Sequence, residues 1–250
     1  MAVDAAGQIE RARRAGVKRF LVPGTTLEDS AAAVALAAPR QGIFAAVGFH
    51  PHEAKDFEPA RDGEALVRLA RSPGVVAIGE IGLDFHYDLS PRERQIRVLE
   101  WMLELARRLD LPAILHNRES GMELVAILSR LPPRERPGVF HSFTESAAFG
   151  RTVLDLGYKV SFSGMITFRA AENIREAAAA LPLEAMLVET DSPFLAPVPY
   201  RGKPCEPAWV VETAKTLAEV KGADLGAVAE ATTGNFEKLF LSSASGKGPG

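Results

Sequence analysis

Seven short apolar runs, each closed by a glycine, a proline or a polar residue and followed by a segment of helical periodicity, constrain this chain more than any other feature. They span residues 19–25, 43–49, 75–80, 112–116, 138–141, 158–163 and 186–191. Val, Ile, Leu, Phe and Ala fill them with little alternation, as in strands covered on both faces. Between them, residues 91–109, 119–131, 146–156 and 170–181 place apolar side chains three and four apart with charges between, which predicts amphipathic helices. Strand and helix in turn is the rhythm of βα units on a parallel sheet. Ser90-Pro91 reads as an N-cap followed by proline at the first helical position, with Glu93 completing a capping box.

A chain of 250 residues is long enough for one α/β barrel. The expected fold is therefore a TIM-type (βα)8 barrel in a single domain over residues 1–241, with its first strand missing. Seven strands are one short of closure, and the helix-like segment 4–15 has no strand before it. An open doubly wound sheet is the alternative, but it calls for a glycine-rich phosphate turn after the first strand. Pro23-Gly24-Thr25-Thr26 is not one. Residues 242–250 are small, polar and glycine-rich, as in a disordered tail.

Lys and Arg number 29 against 32 Asp and Glu, a net charge of −3, which excludes a basic coat for bulk nucleic-acid or membrane binding. Phosphate recognition must then be local. The one cysteine, Cys205, cannot form an internal disulfide, and charged residues from Asp4 to Arg14 stand where a secretory leader needs an apolar core. A cytoplasmic address is the expectation. The longest apolar stretch, 31–38, is far below the ~20 residues a membrane span needs.

The ionisable residues fall where these strands end: His50 after the second, Glu80 at the third, His116 at the fourth, His141 at the fifth and Asp191 at the seventh. In a βα-barrel the C-terminal strand ends form one ring, where active sites are built. Glu80, His116, His141 and Asp191 are thus expected to converge as a metal site at the mouth. A mixed nitrogen and oxygen set suits magnesium, manganese or zinc. Taken singly, a strand-end histidine is more often just a hydrogen-bonded group, so the weight rests on the joint pattern. Gly82 is expected to turn the chain after the third strand, leaving Asp84 to brace the loop. His116 and Arg118 share one side of an extended chain, where Arg118 can grip a phosphate bidentately; an ordinary ion pair at a helix start reads as well. The loop with Tyr200, Arg201 and Lys203 reads equally as an anion clamp or as a solvated loop.

These residues carry a resemblance to the TatD-type metal-dependent deoxyribonucleases among the amidohydrolase-like barrels. It rests on Gly48-Phe49-His50-Pro51, Gly79-Glu80-Ile81-Gly82-Leu83-Asp84, His116-Asn117-Arg118, His141-Ser142-Phe143, Ser161-Phe162-Ser163-Gly164 and Glu189-Thr190-Asp191-Ser192-Pro193, with Arg201-Gly202 and Thr233-Gly234-Asn235-Phe236 behind them. It covers residues 4–241. The resemblance implies a TIM barrel, one or two divalent ions, and hydrolysis of DNA phosphodiesters by a metal-activated water, at single-stranded or frayed ends with 3′-to-5′ exonuclease polarity. It makes Glu80 the carboxylate shared by the metals, His116 and His141 ligands, and Asp191 a ligand that also takes the water's proton. His50, Arg118 and Arg201 are then substrate-binding. The family opens with a strand ending in a His-x-His pair, which this sequence lacks; the expectation here is one bound ion at most, and a start assigned downstream of the true one. Two other readings compete: a metal-dependent esterase or amidase such as an aminoacyl-tRNA deacylase, and a non-catalytic relic of the fold. The oligomeric state is open, with a monomer as the working expectation.

Overall fold

The computed structural model describes residues 4–38, 40–87 and 89–242; from residue 243 onward, the tail expected at 242–250 lies outside them. In chain order the elements are α1 (Ala5–Arg14), β1 (Phe20–Pro23), α2 (Leu27–Ala37), β2 (Ile43–Val47), α3 (Pro59–Ala70), β3 (Val75–Asp84), α4 (Arg92–Arg108), β4 (Ala113–Arg118), α5 (Gly121–Leu128), β5 (Gly138–Phe140), α6 (Ala147–Asp155), β6 (Lys159–Phe162), α7 (Glu172–Ala180), β7 (Met186–Val188), α8 (Val210–Lys221) and α9 (Leu225–Phe236). This is the TIM-type βα order, with seven strands among the described residues.

The chain divides into two compact units. One takes in Arg19–Phe140, Leu156–Tyr158 and the residues from Glu237 on. Its strands β1 to β5 pair consecutively and all in parallel. Phe57, Ile78, Ile81, Leu99, Leu115 and Phe140 are almost fully buried around them, each worth ~1.5–3 kcal/mol relative to exposure. The other unit takes in residues up to Lys18, His141–Asp155 and Lys159–Phe236. In it β6 and β7 pair in parallel, with Phe162, Ile166, Met186, Leu217 and Val228 buried. Asn235, from the last of the resemblance-bearing motifs, donates from Nδ2 to the carbonyls of Leu183 and Met186, each at 2.8 Å. It fastens α9 to β7.

Two local expectations are corrected. The third strand does not turn at Gly82 but runs on to Asp84. Gly82, at φ +146°, is required for another reason: a Cβ there would lie 2.1 Å from the His116 carbonyl oxygen on the paired strand. Ser90 is not the N-cap of α4. That place belongs to Pro91, without a side-chain cap, while the buried Ser90 hydroxyl donates to the His52 carbonyl at 2.6 Å and accepts the Lys55 N–H at 3.0 Å. It fixes the loop after β2, which carries two histidines.

Candidate metal centre

In the first unit, His50, Glu80 and His116 have donor atoms all within 4.8 Å of one another. Glu80 lies inside β3 beside Gly79, where an added Cβ would stand 2.6 Å from that of Ile114; only glycine lets β3 and β4 approach so closely. One Glu80 oxygen, Oε1, lies 3.0 Å from His116 Nδ1 and 3.3 Å from His50 Nε2.

The other nitrogen of each imidazole fixes its tautomer. His116 Nε2 lies 3.0 Å from Asp84 Oδ2, and His52 Nε2 reaches the same oxygen at 2.9 Å. Asp84 Oδ1 accepts the N–H groups of His86 and Tyr87, both at 3.0 Å. Burial alone would raise the Asp84 pKa, but the hydrogen bonds from His116, the Tyr87 N–H and His52 outweigh it. The carboxyl is held well below the ordinary carboxylate range. An ionised Asp84 can only accept, so His116 carries a proton on Nε2, while its Nδ1 faces the Glu80 carboxylate, where a second proton or, in its place, a metal cation completes the pair. A carboxylate behind a ligating imidazole is the usual support of a metal-bound histidine.

His50 has the opposite polarity. Its Nδ1 accepts the His52 N–H at 3.2 Å, so the neutral ring carries its proton on Nε2 and donates to Glu80. Burial lowers its pKa against the raising influence of Glu80, which keeps it neutral at physiological pH. His50 therefore donates to Glu80, and Glu80 and His116 are the pair whose donor atoms could hold an ion.

In the second unit, His141, Glu189 and Asp191 form a similar group within the same 4.8 Å. Glu189 Oε1 accepts the Ser142 N–H at 3.0 Å and lies 3.2 Å from His141 Nδ1. Donating from Nδ1, His141 has Glu189 as its positioning partner, and Nε2 is the nitrogen that could serve as a ligand. Ser142 and Asp191 both have left-handed backbones, φ +44° and +60°, a conformation that non-glycine residues adopt at a cost and that gathers at functional sites.

The structure thus brings Glu80 together with His116 in one unit, and His141 together with Asp191 in the other. The arginines stand differently. Arg118 is exposed, with its guanidinium 4.6 Å from the Tyr87 ring centroid, and among the described residues it makes no ion pair. Arg201 is exposed too, its guanidinium 3.8 Å from the Phe168 centroid and bonded to the Ala196 carbonyl at 3.2 Å. Glu189 enters the sequence reading only as part of a motif and His52 only as a neighbour of His50, neither with a role in the site, although each stands two residues from a residue given one, the spacing that puts side chains on one side of an extended chain. Asp84, expected only to brace a loop, holds His116.

Both groups fit a divalent cation. Nitrogen and oxygen donors match magnesium, manganese or zinc. Donors bound at ~2.0–2.2 Å lie no more than roughly 4.4 Å apart, and Glu80 Oε1 and His116 Nδ1, 3.0 Å apart, fall within that reach. Among the described residues no helix is long and apolar enough to cross a membrane.

The family model described as TatD related DNase matches residues 1–241. The uncharacterized metal-dependent hydrolase YcfH of Escherichia coli is 40% identical over 237 residues, 95% of this chain and 88% of the relative. YabD of Bacillus subtilis, named in the same way, is 37% identical over 232 residues, 93% of this chain and 91% of its own. The crystal structure of YjjV, a TatD homologue from Escherichia coli, superposes with a TM-score of 0.89 at 36% identity, covering 96% of this chain and 93% of that one. This chain belongs to the TatD family of metal-dependent hydrolases.

Proposed function

We propose that the chain hydrolyses phosphodiester bonds of DNA, working from single-stranded or frayed ends in the 3′-to-5′ direction. The observation that carries this reading is on β4: His116, with an ion-facing lone pair, and Arg118, an exposed guanidinium, stand two residues apart on one strand, ~7 Å along it. That spacing suits one phosphate held between a cation and a bidentate arginine. When bound, a divalent cation lowers the pKa of a water and offsets charge on the phosphoryl oxygens. Glu80 and His116 would hold an ion in one unit, or His141 and Asp191 in the other: two candidate groups, where the sequence led to an expectation of one bound ion at most. Asp191 accepts the proton of the attacking water. His50 donates its Nε2–H toward Glu80 or a phosphate oxygen, and Arg201 offers a further anion contact. The net charge of −3 favours ends over a duplex grip, which draws on extensive phosphate neutralisation. The chain acts as one domain and as a monomer, in the cytoplasm, where the buried, unpaired Cys205 stays reduced.

The test pairs elemental analysis with degradation of 5′-labelled single strands and blunt duplexes in magnesium, manganese or zinc. Stepwise shortening from the 3′ end, faster on the single strand, is expected. Hydrolysis of a simple carboxyl ester with every oligonucleotide left intact would overturn the reading.

A further inference from the structure

Tyr87 has no part in holding an ion, yet it is placed as if for contact. It is 52% exposed, although its N–H is tied to the buried carboxylate of Asp84 at 3.0 Å. The rings of His52 and His86 stand nearly perpendicular to it, at 89° and 85°, with centroids 5.6 and 4.7 Å away. His86 is itself pinned to Glu119 at 2.6 Å. The Arg118 guanidinium lies over the ring. A half-exposed aromatic ring whose orientation is fixed by two imidazoles and a cation has lost its rotamer freedom before any ligand arrives. The His52 ring, in turn, is 6.2 Å from that of His116. Tyr87 therefore lies two ring-to-ring steps from the imidazole that faces an ion.

We propose that Tyr87, backed by Arg118, is a stacking platform for an unpaired base of the strand being cut, and that it sets the preference for single-stranded ends. The proposal rests on the nuclease reading above. An aromatic face accepts any base, the cation behind it strengthens the sandwich, and Arg118 can reach the neighbouring phosphate from the same position. A base within a duplex has both faces stacked and cannot use the ring, so fraying must come first.

The test uses the full chain with manganese and short phosphorothioate strands that resist hydrolysis, in matched versions carrying bases or abasic residues at the 3′ end. The parent is expected to bind the base-bearing strand about 5- to 150-fold more tightly, the range for one stacked base. A 2-aminopurine at the stacked position should be quenched. In Tyr87→Ala the ratio should fall to about one and the quenching disappear; Tyr87→Trp should keep both, which a merely structural role for the tyrosine would not allow. Equal affinity of the parent for both strands, or a ratio unchanged in Tyr87→Ala while unmodified strands are still cut, overturns the platform alone. Failure of the parent to cut any unmodified strand overturns the nuclease reading beneath it.

Discussion

Replacing Asp84 by asparagine tests the tautomer argument directly, because shape is kept while the direction of one hydrogen bond reverses. Asp84 is almost fully buried, and its Oδ2 receives His116 at 3.0 Å and His52 at 2.9 Å. The Oδ1 side, which takes the His86 and Tyr87 N–H groups, survives as an amide oxygen. The other side becomes an NH2 group, a donor facing two imidazole nitrogens. His116 must then accept on Nε2 and move its proton to Nδ1, between itself and Glu80, where the ion belongs. Loss of a carboxylate behind a metal-bound histidine typically lowers metal affinity 10- to 100-fold, or about 1.4–2.7 kcal/mol. The fold should suffer less: charge-assisted bonds become neutral ones at a cost of about 1 kcal/mol, a Tm fall of ~2–4 °C. Asp84→Ala should be worse for the fold, since it orphans two imidazoles and two backbone groups together. Chelator competition for manganese and a thermal melt, run on both variants, separate the two effects. An Asp84→Asn protein that holds manganese as tightly as the parent would refute the proton assignment, and with it the division between His50 and His116.

Other perturbations follow from the same geometry. His141→Ala should lower metal content and activity together, whereas Asp191→Asn should keep part of its metal and lose turnover; equal metal loss, with both rescued by excess ion, would contradict the roles given them. Gly82→Ala drives a Cβ to 2.1 Å from a carbonyl at φ +146° and should cost about 4 kcal/mol or more, read as a Tm fall of ~10 °C or an insoluble product. Burial raises the Tyr158 pKa to about 12 from 10.0. A raised folded-state pKa gives stability that is present below the unfolded value and lost as pH rises to the folded one. The parent should therefore weaken between about pH 10 and 12 by up to ~2.7 kcal/mol, and Tyr158→Phe should flatten that limb of an alkaline denaturation series.

The strands and helices were legible because apolar periodicity survives any placement in space. The run at 75–80 was read four residues short, since Gly82 looked like a turn; its φ answers a carbonyl on β4 that no local pattern announces. Ser90 misled in the same way. Its place before Pro91 is a good cap signal, but the hydroxyl is taken by the loop at His52 and Lys55, a tertiary claim that outweighs a local one. Asn235 was noticed only as part of a motif, and its work turns out to be structural.

For the candidate site, sequence could say which side chains collect at strand ends but not which atom of each faces an ion. His50 and His116 are alike as letters. One has its Nδ1 taken by a backbone N–H two residues on, the other has its Nε2 taken by a carboxylate 32 residues away. That difference makes His50 a donor to Glu80 and sets a protonated Nε2 of His116 against Asp84. Glu189 and Asp84 then have a common logic: each lies behind a histidine, His141 or His116, and chooses its tautomer, and neither needs to touch the ion. At Asp84 an asparagine would hold the imidazoles in the reverse sense, because the oxygen facing them is not the one that takes the backbone N–H groups. Glu189→Gln should therefore behave differently from Asp84→Asn: Glu189 Oε1 faces both His141 Nδ1 and the Ser142 N–H, so an amide oxygen in that place keeps both bonds and the His141 tautomer, and metal content should fall less than in Asp84→Asn.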